Sequence, residues 1–293
     1  MDSITERGGE KKIGTLYLCA TPIGNLEDMT YRAVRILGEV PLIAAEDTRR
    51  TRQLLTHFGL STRMVSYHEH NKTEKGPRLI EWLLAGNDLA CVSDAGLPGI
   101  ADPGSQLAAD AIAAGVEVVP IPGANAAISA LIASGLDTTR FSFVGFLPRT
   151  KEKRRACLAE ISGRTDTLIF YEAPHRLADT LKAILAALGN RPAVLARELT
   201  KKFEEFRRGS LSELLDGCVE NPPRGEFVVV VGGKENAAEE ASQATPEDAA
   251  EIVRALTAQG MAKKEAMREA AKKTGLSRRD VYQAMLRDER ETP

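Results

Sequence analysis

The sequence LACVSDAGLPGIADPG (89–104) joins a short apolar run to a loop that contains three glycines, two prolines and two aspartates. The run predicts a buried strand, and a rigid loop at the carboxyl end of a strand is where open α/β sheets bind ligands. Asp102 is expected to cap the next helix, with Pro103 at its first position. Capping explains the end of the loop but not residues 96–99, so a plain glycine–proline turn and a ligand-binding loop both stay open.

Strands and helices alternate on both sides of this loop through the first half of the chain. The apolar runs are rich in β-branched residues, which is typical of a largely parallel sheet that is buried on both faces. We predict strands over residues 15–20, 42–46, 63–67, 89–93 and 116–121, and helices over 28–38, 48–58, 72–86 and 104–114.

The second half has a different pattern. Its predicted strands cover 141–147, 167–172, 193–198, 204–209 and 227–232, and its predicted helices cover 151–162, 175–188 and 210–219. Five residues separate strand 193–198 from strand 204–209, which is too few for a parallel crossover and predicts an antiparallel pair. The second sheet is therefore expected to be mixed, and a domain boundary is placed near Pro122.

The last part of the chain is predicted to be helical. Thr245 and Pro246 are typical of a helix start, and helices are predicted over 247–258, 262–273 and 277–288. The predicted fold class is α/β, with a parallel sheet in a first α/β domain, a mixed sheet in a second, and a small helical appendage. The predicted limits are 1–12 for a flexible tail, 13–122 and 123–233 for the two domains, 234–246 for a linker and 247–293 for the appendage.

The composition excludes several classes of protein. Of 293 residues, 39 are basic and 41 acidic, and 5% are aromatic. These values argue against a globally basic nucleic-acid binder and against one built on many stacked aromatic rings. The four cysteines form no CxxC element, which excludes zinc-ribbon and thioredoxin-like sites. Scattered thiols with apolar neighbours, and a charged start without an apolar run, predict a cytoplasmic protein with reduced cysteines and no signal peptide.

Two further loops bear on the ligand. ATPIGNLEDMT (20–30) has one glycine, Gly24, where dinucleotide-binding folds have three, and Glu46 mimics only their ribose-binding acid. A dinucleotide site is therefore the weaker hypothesis. PGANAA (122–127) opens a helix with small residues, and neither it nor residues 93–104 contains Lys or Arg. A phosphate-binding loop normally includes such a residue, which favours an uncharged or zwitterionic ligand over a nucleoside triphosphate.

Nine ordered segments between Gly14 and Gly233 carry a family resemblance. They are ATPIGNLEDMT, AAEDTRRTR (44–52), SYHEHN (66–71), SDAGLPGIADPG, PGANAA, GFLPRTKEKRR (145–155), FYEAPHR (170–176), ARELTKKFEE (196–205) and RGEFVVVVGG (224–233). Through them the chain resembles the tetrapyrrole-methylase superfamily of class III S-adenosylmethionine-dependent methyltransferases. Within it, the chain resembles the branch that methylates the 2′-hydroxyl of a cytidine in 16S ribosomal RNA of the small subunit, whose helix-turn-helix appendage the C-terminal helices also resemble.

The resemblance implies two α/β domains with S-adenosylmethionine in the cleft between them, 16S rRNA or the small ribosomal subunit as partner, and a homodimer. The TPIGN loop is less rich in glycine than the first loop of members that methylate tetrapyrroles, which favours RNA as the substrate. The donor contacts that the resemblance implies are Pro22, Asp94, Gly96, Leu97, Pro98, Ile100, Asp102, Ala124, Asn125, Tyr171, Ala173, Leu199 and Gly225.

Methylation of a ribose hydroxyl benefits from a proton acceptor or from a charge that stabilises the alkoxide. The predicted bases are Asp47, Glu172 and His175, and the predicted stabilising cations are Arg49, Arg176 and Lys201. A salt bridge or a helix cap is the structural alternative for each of them. The sequence leaves the identity of the base open.

The SYHEHN segment raises the question of a metal. His68 and His70 would share one face if they lay on a strand. A metal site needs a third ligand, and no Cys or carboxylate is suitably spaced nearby. A pair of polar residues facing the substrate is therefore preferred, and no metal is expected.

Two segments carry clustered positive charge of the kind that binds RNA phosphates. PRTKEKRR (148–155) has five basic residues against one acid, and residues 261–287 have eight against three. A solvated helix face is the alternative for each cluster. The predicted RNA-binding residues are Arg149, Lys151, Lys153, Arg154, Arg155, Lys263, Lys264, Arg278 and Arg279. Two other functions stay open: a tetrapyrrole or small-molecule methyltransferase of the same fold, and a non-catalytic RNA-binding assembly factor.

Overall fold

The computed structural model describes residues 12–234, 245–274 and 276–291, and these form two compact units. The first unit comprises the described residues up to 161 together with 167–232, and it contains two β-sheets. The second unit comprises residues 162–166 and the described residues from 233 onwards. None of the helices in the described ranges is both long and apolar enough to cross a lipid bilayer.

The first sheet is entirely parallel, as the sequence predicts. Its strands are β1 (Thr15–Cys19), β2 (Ile43–Ala45), β3 (Met64–Ser66), β4 (Leu89–Val92) and β5 (Glu117–Ile121), in the spatial order β3-β2-β4-β1-β5. The helices between them are α1 (Tyr31–Glu39), α2 (Thr48–His57), α3 (Lys72–Leu84) and α4 (Gly104–Ala113). Because all five strands run in one direction, the loops that follow them lie along one edge of the sheet.

The apolar runs of this sheet are continuous because both faces are covered by helices. Leu89 and Cys91 of β4 pack in a core with α3 and α4, whereas Ala90 and Val92 pack in a second core with α1 and α2. Side chains alternate between the two faces of a strand, so a strand with two buried faces has no polar position.

Two helices begin more than one residue later than the sequence predicts. Leu26–Asp28 and Pro174–Arg176 form short 3₁₀ helices, and the α-helices start after them. Thr30 fixes the start of α1, because its hydroxyl accepts the backbone N–H of Ala33 at 3.1 Å. A side-chain cap of this kind decides a helix boundary independently of the apolar periodicity.

The second sheet is mixed, as predicted. Its strands are β6 (Phe141–Phe146), β7 (Thr167–Glu172), β8 (Pro192–Arg197), β9 (Glu205–Ser210) and β10 (Phe227–Val231), in the order β6-β7-β10-β8-β9. β6 and β7 are parallel and the other three pairs are antiparallel, which includes the predicted β8–β9 pair. The helices are α5 (Ala126–Ile132), α6 (Lys151–Ile161), α7 (Leu177–Leu188) and α8 (Leu211–Glu220). Helix α5, which PGANAA opens, packs on this sheet through β7 and β10.

The second unit contains three helices among its described residues. These are α9 (Pro246–Ala258), α10 (Lys263–Thr274) and α11 (Arg278–Glu291), and they enclose a small core of alanine, valine and methionine. Thr245 caps α9 in a reciprocal capping box with Asp248, with Pro246 at the first position, as the sequence predicts. The predicted tail lies outside the described residues except for Lys12, and the predicted linker does so over 235–244. The domain limits stay predictions.

Candidate active site

A cavity of about 480 Å³ lies within the first unit, between the loops that follow the parallel strands and the edge of the mixed sheet. The first sheet contributes Glu46, Arg50 and much of the 93–104 loop. The mixed sheet contributes Tyr171 and Glu172 from β7, Ala196 from β8 with the turn after it, and the start of β10. We call this the main cavity.

The 93–104 loop is held in place by a second loop from the same sheet. Thr21 donates its backbone N–H to the Gly96 carbonyl at 2.9 Å, and Gly96 donates back to Thr21 at 3.0 Å. Gly96 has a φ of +82°, and a Cβ there would lie 3.3 Å from both the Ala124 carbonyl oxygen and Cγ2 of Ile23. Three loops therefore converge at Gly96, and a glycine is needed at the point where they meet.

Asp102 closes the other end of that loop. Its Oδ1 accepts backbone N–H groups from Gly99 at 2.8 Å and from Gly104 at 2.7 Å. The helix begins at Gly104, the first residue of the predicted range 104–114, with Pro103 as the N-cap rather than in the first helical position. Asp102 still caps it, because a carboxylate can reach the Gly104 amide from one residue further out, and it also holds residues 99–102 in a closed turn. Burial raises the pKa of the Asp102 carboxyl, against the lowering effect of these amides.

The wall of the main cavity that comes from the first sheet is acidic. The carboxylate of Glu46 accepts the Asp94 backbone N–H at 3.0 Å, and burial raises the pKa of Glu46. Oδ1 of Asp94 accepts the Asp47 backbone N–H at 3.0 Å, and its Oδ2 lies 3.4 Å from the guanidinium of Arg50. We call Glu46, Asp94 and Asp102 the acidic wall; carboxylates so placed favour a ligand with a positive charge.

The opposite side is apolar and aromatic. The ring of Tyr171 lies edge-on to Phe143 and Phe146, with centroids 4.9 and 5.6 Å apart. Phe146 and Phe227 of β10 both line the cavity, and Phe146 is 56% exposed. Phe146, Tyr171 and Phe227, which we call the aromatic wall, offer flat apolar surfaces suited to a planar ring.

The turn after β8 brings a lysine to the cavity through strained backbone. Glu198 and Thr200 have positive φ angles of 48° and 67°. Nζ of Lys201 lies 3.0 Å from Oε1 of Glu198 and 2.9 Å from Oε2 of Glu226. We call these three charged side chains the Lys201 cluster. Burial lowers the pKa of Lys201, but the hydrogen bonds to Glu226 and Glu198 outweigh burial and raise it.

Two glycines make room for the Lys201 cluster. A Cβ on Gly24, in the loop after β1, would lie 2.5 Å from Cγ of Lys201, and a Cβ on Gly225 would lie 2.5 Å from Cγ of Glu198. The aliphatic part of Lys201 thus lies directly against the first loop of the parallel sheet. The lysine therefore connects the two sides of the main cavity by packing, whereas its ion pairs lie on the mixed-sheet side.

Glu172 is buried, and both oxygens of its carboxylate accept hydrogen bonds. Its side chain is 0% exposed, Oε1 accepts the Ala173 N–H at 2.9 Å, and Oε2 accepts the Thr180 hydroxyl at 2.6 Å. Arg176 lies 3.5 Å from Oε2 and also donates to the Leu147 carbonyl at 2.8 Å. These contacts hold the chain that carries Tyr171 and Ala173 along the cavity. They suit a positioning role better than a proton-accepting one, because each carboxylate oxygen already accepts a hydrogen bond and the side chain is buried.

Four of the six predicted bases and stabilising cations do not line the main cavity, namely Asp47, Arg49, His175 and Arg176. Asp47 caps α2 through the Arg49 N–H at 2.8 Å and pairs with the Arg49 guanidinium at 2.9 Å. The Arg49 side chain and backbone lower the pKa of the Asp47 carboxyl to about 2, which makes it a weak base. His175 is exposed in the 3₁₀ turn after β7. Of the predicted catalytic residues, Glu172 and Lys201 line the cavity.

Most of the predicted donor contacts lie together in the main cavity. Those that line it are Asp94, Gly96, Leu97, Ile100, Asp102, Asn125, Tyr171, Ala173 and Leu199. The predicted contacts that do not line it are Pro22, Pro98, Ala124 and Gly225. The charged lining residues that sequence reasoning did not propose as site residues are Glu46, Arg50, Glu198 and Glu226. Each of these four belongs to a segment quoted for the resemblance, so position within those segments was the available signal.

A smaller cavity of about 250 Å³ adjoins the main one and shares Arg50, Ser93 and Asp94 with it. We call it the side cavity. Its other lining residues are Thr21, Pro22, Gly24, Leu26, Thr51, Gln53 and Leu54.

The histidine pair does not lie on a strand, which is the case in which the two side chains would share a face. β3 ends at Ser66, and His68 and His70 lie in the turn that follows, so period-two alternation does not apply to them. The chain leaves the sheet there because the Asn71 side chain accepts the His68 backbone N–H at 2.9 Å and closes the turn. Within the described ranges, no group of three His, Cys, Asp or Glu side chains is arranged to hold a metal ion.

The two basic clusters lie on exposed surfaces, one in each unit. In the first unit all of the predicted residues are exposed apart from the half-buried Arg154, and they precede or belong to α6. In the second unit all four predicted residues are exposed, at the starts of α10 and α11. Exposed side chains of this kind are available to phosphates, and they equally suit a solvated face.

Comparison with known proteins gives two family matches. The family model of the tetrapyrrole (corrin/porphyrin) methylases matches residues 15–215, and that of the RsmI C-terminal HTH domain matches residues 243–289. A protein of Halalkalibacterium halodurans is 52% identical over 92% of this chain and 93% of its own length. A protein of Bacillus subtilis is 48% identical over 94% and 95%. Both are named ribosomal RNA small subunit methyltransferase I.

Solved structures show the same fold at lower identity. Uroporphyrin-III C-methyltransferase from Thermus thermophilus, in a complex with S-adenosyl homocysteine, is 21% identical and superposes with a TM-score of 0.53. The match covers 75% of this chain and 97% of that one. The shared architecture is that of the two sheets around the main cavity.

Proposed function

Since the chain belongs to the tetrapyrrole (corrin/porphyrin) methylase family, we propose that it methylates 16S ribosomal RNA of the small subunit, with S-adenosylmethionine as donor and the 2′-hydroxyl of a cytidine ribose as acceptor. The rRNA substrate is supported by relatives that are 52% and 48% identical and are named as small-subunit rRNA methyltransferases. The ribose and the cytidine rest on the resemblance of the nine sequence segments.

The main cavity is the observation that carries this proposal. Its size of about 480 Å³ is that of a small-molecule site. S-Adenosylmethionine supplies an electrophilic methyl group on a positively charged sulfur, and it also bears an ammonium group and a planar adenine. The acidic wall fits the two cationic groups, and the aromatic wall fits the planar ring. The loops contain no Lys or Arg between residues 93 and 104, as expected for a donor without phosphate.

We assign the donor contacts to the loops that converge at Gly96 and to the mixed-sheet residues that face them. Backbone groups at Gly96 and Leu97 are held in fixed directions by the Thr21 bridge and by the Asp102 turn. Asn125 caps α5 through the Ile128 N–H at 2.9 Å, which fixes the position of its side chain at the cavity. Such preorganisation lowers the entropic cost of orienting the methyl group toward its acceptor.

Lys201 stabilises the developing alkoxide of the ribose. Its amine lines the main cavity and lies between Glu198 and Glu226, which keep it protonated by raising its pKa. A 2′-hydroxyl is a weak acid, so a fixed positive charge beside its oxygen favours its deprotonated form. The hydroxyl proton passes to solvent water as the oxygen takes the methyl group from the donor sulfur. Glu172 acts through Tyr171 and Ala173 as a positioning residue.

RNA binds through the two exposed basic clusters. The residues in α6 and before it, and those at the starts of α10 and α11, present their charges to solvent. Neutralisation of phosphates by such residues releases counterions, so affinity falls as salt rises. The natural substrate in this proposal is the small ribosomal subunit, which the enzyme binds in the cytoplasm. We expect the enzyme to be a homodimer.

The test uses the full chain, S-adenosylmethionine with a labelled methyl group, and small ribosomal subunits from cells without a gene for this protein. We expect the label to appear in 16S rRNA. Mass spectrometry of the digested RNA should then locate the methyl group on the ribose of one cytidine. Label on a base, or on a tetrapyrrole and not on RNA, would refute the proposed acceptor. Absence of S-adenosylhomocysteine binding by calorimetry would refute the donor.

A pair of neighbouring lysines tests the role of Lys201. Lys201→Gln removes the charge from the cavity, whereas Lys202→Gln removes an equal charge from an exposed residue that does not line it. We expect Lys201→Gln to lower kcat by about 10²–10³, as for the loss of one oxyanion-stabilising group, and Lys202→Gln to retain activity. Equal rates for the two variants would contradict the assignment.

A further inference from the structure

The side cavity is placed to hold a second ligand directly beside the methyl donor. It shares Arg50, Ser93 and Asp94 with the main cavity. Gly24, which also lines it, lies against the aliphatic chain of Lys201. A group bound in the side cavity therefore lies next to the donor loop on one side and next to the Lys201 cluster on the other.

The lining of the side cavity combines apolar surfaces with two available polar groups. Pro22, Leu26 and Leu54 are apolar. The hydroxyls of Thr21 and Thr51 already donate to main-chain carbonyls, at 3.2 Å to Ser93 and at 3.1 Å to Asp47. Neither hydroxyl is therefore free to donate to a ligand.

Gln53 and Arg50 are the polar side chains of this cavity that remain available. Gln53 is exposed, and no hydrogen bond of its amide occurs within the described part of the chain. Arg50 is 66% exposed and makes one ion pair, at 3.4 Å to Asp94. A guanidinium has five N–H donors, so most of them are free for a ligand. Both side chains project from α2, within one turn of each other.

We propose that the side cavity binds the base of the nucleotide to be methylated, turned out of the RNA, and that Gln53 and Arg50 recognise its Watson–Crick edge. This inference rests on the proposed function. A flat neutral ring fits between apolar side chains, as in other enzymes that take a base out of the stack. The ribose of that nucleotide then lies at the junction of the two cavities, where its 2′-oxygen can reach both the donor and Lys201.

The acceptors beside this edge, Oε1 of Gln53 and the carboxylate of Asp94, favour cytosine over uracil. Cytosine presents an amino donor at N4 and acceptors at N3 and O2. Oε1 of Gln53 and the carboxylate of Asp94 can accept from N4, while the guanidinium of Arg50 donates to the acceptors. Uracil would place its O4 acceptor against the Asp94 carboxylate, and a site built around hydrogen bonds rejects such a mismatch strongly.

The experiment first maps the modified cytidine with the wild-type enzyme and then compares subunits that carry C or U at that position. The variant Gln53→Leu keeps the side-chain size and removes both the acceptor and the donor of the amide group. We expect its kcat/KM on C subunits to fall about 5- to 100-fold and the preference for C over U to fall by a similar factor. Binding of S-adenosylhomocysteine is expected to stay within twofold, because Gln53 does not line the main cavity.

Two further variants keep the result interpretable. Gln106→Leu makes the same change on α4, outside both cavities, and is expected to behave as wild type. Gln53→Glu keeps the shape and an acceptor, so it should still methylate C subunits and should discriminate more strongly against U.

The inference and the proposed function fail in different ways. A wild-type enzyme that puts no methyl group on ribose overturns the proposed function. If the wild-type enzyme methylates ribose but Gln53→Leu has unchanged kcat/KM and an unchanged preference for C, only the proposed base site is overturned. Loss of donor binding in Gln53→Leu also overturns it, since the two cavities would then not be separate sites.

Discussion

We predict that position 225 requires a glycine for two reasons: the backbone angle there and the close packing of the Glu198 side chain. The φ of Gly225 is +84°, and a Cβ would lie 2.5 Å from Cγ and 2.7 Å from Oε1 of that side chain. In Gly225→Ala, left-handed backbone costs about 1–2 kcal/mol. Displacement of Glu198 also breaks one of the two hydrogen bonds that its Oε1 accepts, from the Glu226 N–H at 2.9 Å or from Lys201 at 3.0 Å. Loss of one charge-assisted hydrogen bond costs about 1.5–3 kcal/mol, so the expected total is about 2.5–5 kcal/mol.

A control variant separates the two contributions. Gly59 also has a positive φ, +67°, but nothing lies within 4 Å of the position of its Cβ. Gly59→Ala is therefore expected to show the backbone cost alone. Urea unfolding followed by circular dichroism gives the free energy of unfolding of both variants, and calorimetry gives their affinity for S-adenosylhomocysteine.

Donor affinity is the more specific readout for Gly225. We expect Gly225→Ala to bind the donor product more weakly than wild type, because Glu198 and Lys201 line the main cavity. Gly59→Ala, at the far end of α2 from the cavity, should bind with wild-type affinity. If both variants lose the same stability and neither loses affinity, the packing argument for the Lys201 cluster is refuted.

The remaining predictions concern groups around the site. Thr180→Val removes the 2.6 Å hydrogen bond to the buried Glu172 and should lower the free energy of unfolding by about 1–3 kcal/mol in urea titrations; no change would contradict the role given to Glu172. Arg49 lowers the pKa of Asp47 from 3.8 to about 2. The stability that this ion pair adds is therefore complete above pH 3.8 and is lost as the pH falls toward 2. Acid unfolding of Asp47→Asn should lack that loss. In the native protein an aromatic disulfide reagent should react first at the half-buried thiol, Cys157, and should reach the buried ones only on unfolding; equal rates would contradict the burial of Cys19, Cys91 and Cys218.

The fold could be predicted where one physical constraint governs a whole element. The apolar runs at β2 and β4 indicate strands buried on both faces, and parallel strands are the usual consequence. The short connection between β8 and β9 allows only an antiparallel pair. The boundaries of helices were harder to predict, because a single capping side chain such as Thr30 can decide where a helix begins. The apolar periodicity carries no information about such a cap.

The candidate site could be predicted at the level of loops but not of charged partners. The composition of residues 93–104 predicts a loop at a ligand site, and residues of this loop line the main cavity. The contact between Glu46 and Asp94, however, joins residues 48 apart in the sequence, and that between Lys201 and Glu226 joins residues 25 apart. No local pattern specifies such pairs, since their geometry depends on the order of the strands and on the strained turn after β8.

Backbone strain is concentrated at the main cavity. The non-glycine residues with positive φ in the described ranges are Ala101, Glu198 and Thr200. Ala101 and Glu198 line the cavity, and the side chain of Thr200 lies 3.0 Å from the position of a Cβ on Gly24. Each such residue costs about 1–3 kcal/mol and persists only where surrounding contacts determine it. Hydrogen bonds to Asp102 and Glu198 provide these contacts. Because the non-glycine residues with positive φ in the described chain all lie at or beside the cavity, we infer that the shape of the site, rather than stability, accounts for these conformations.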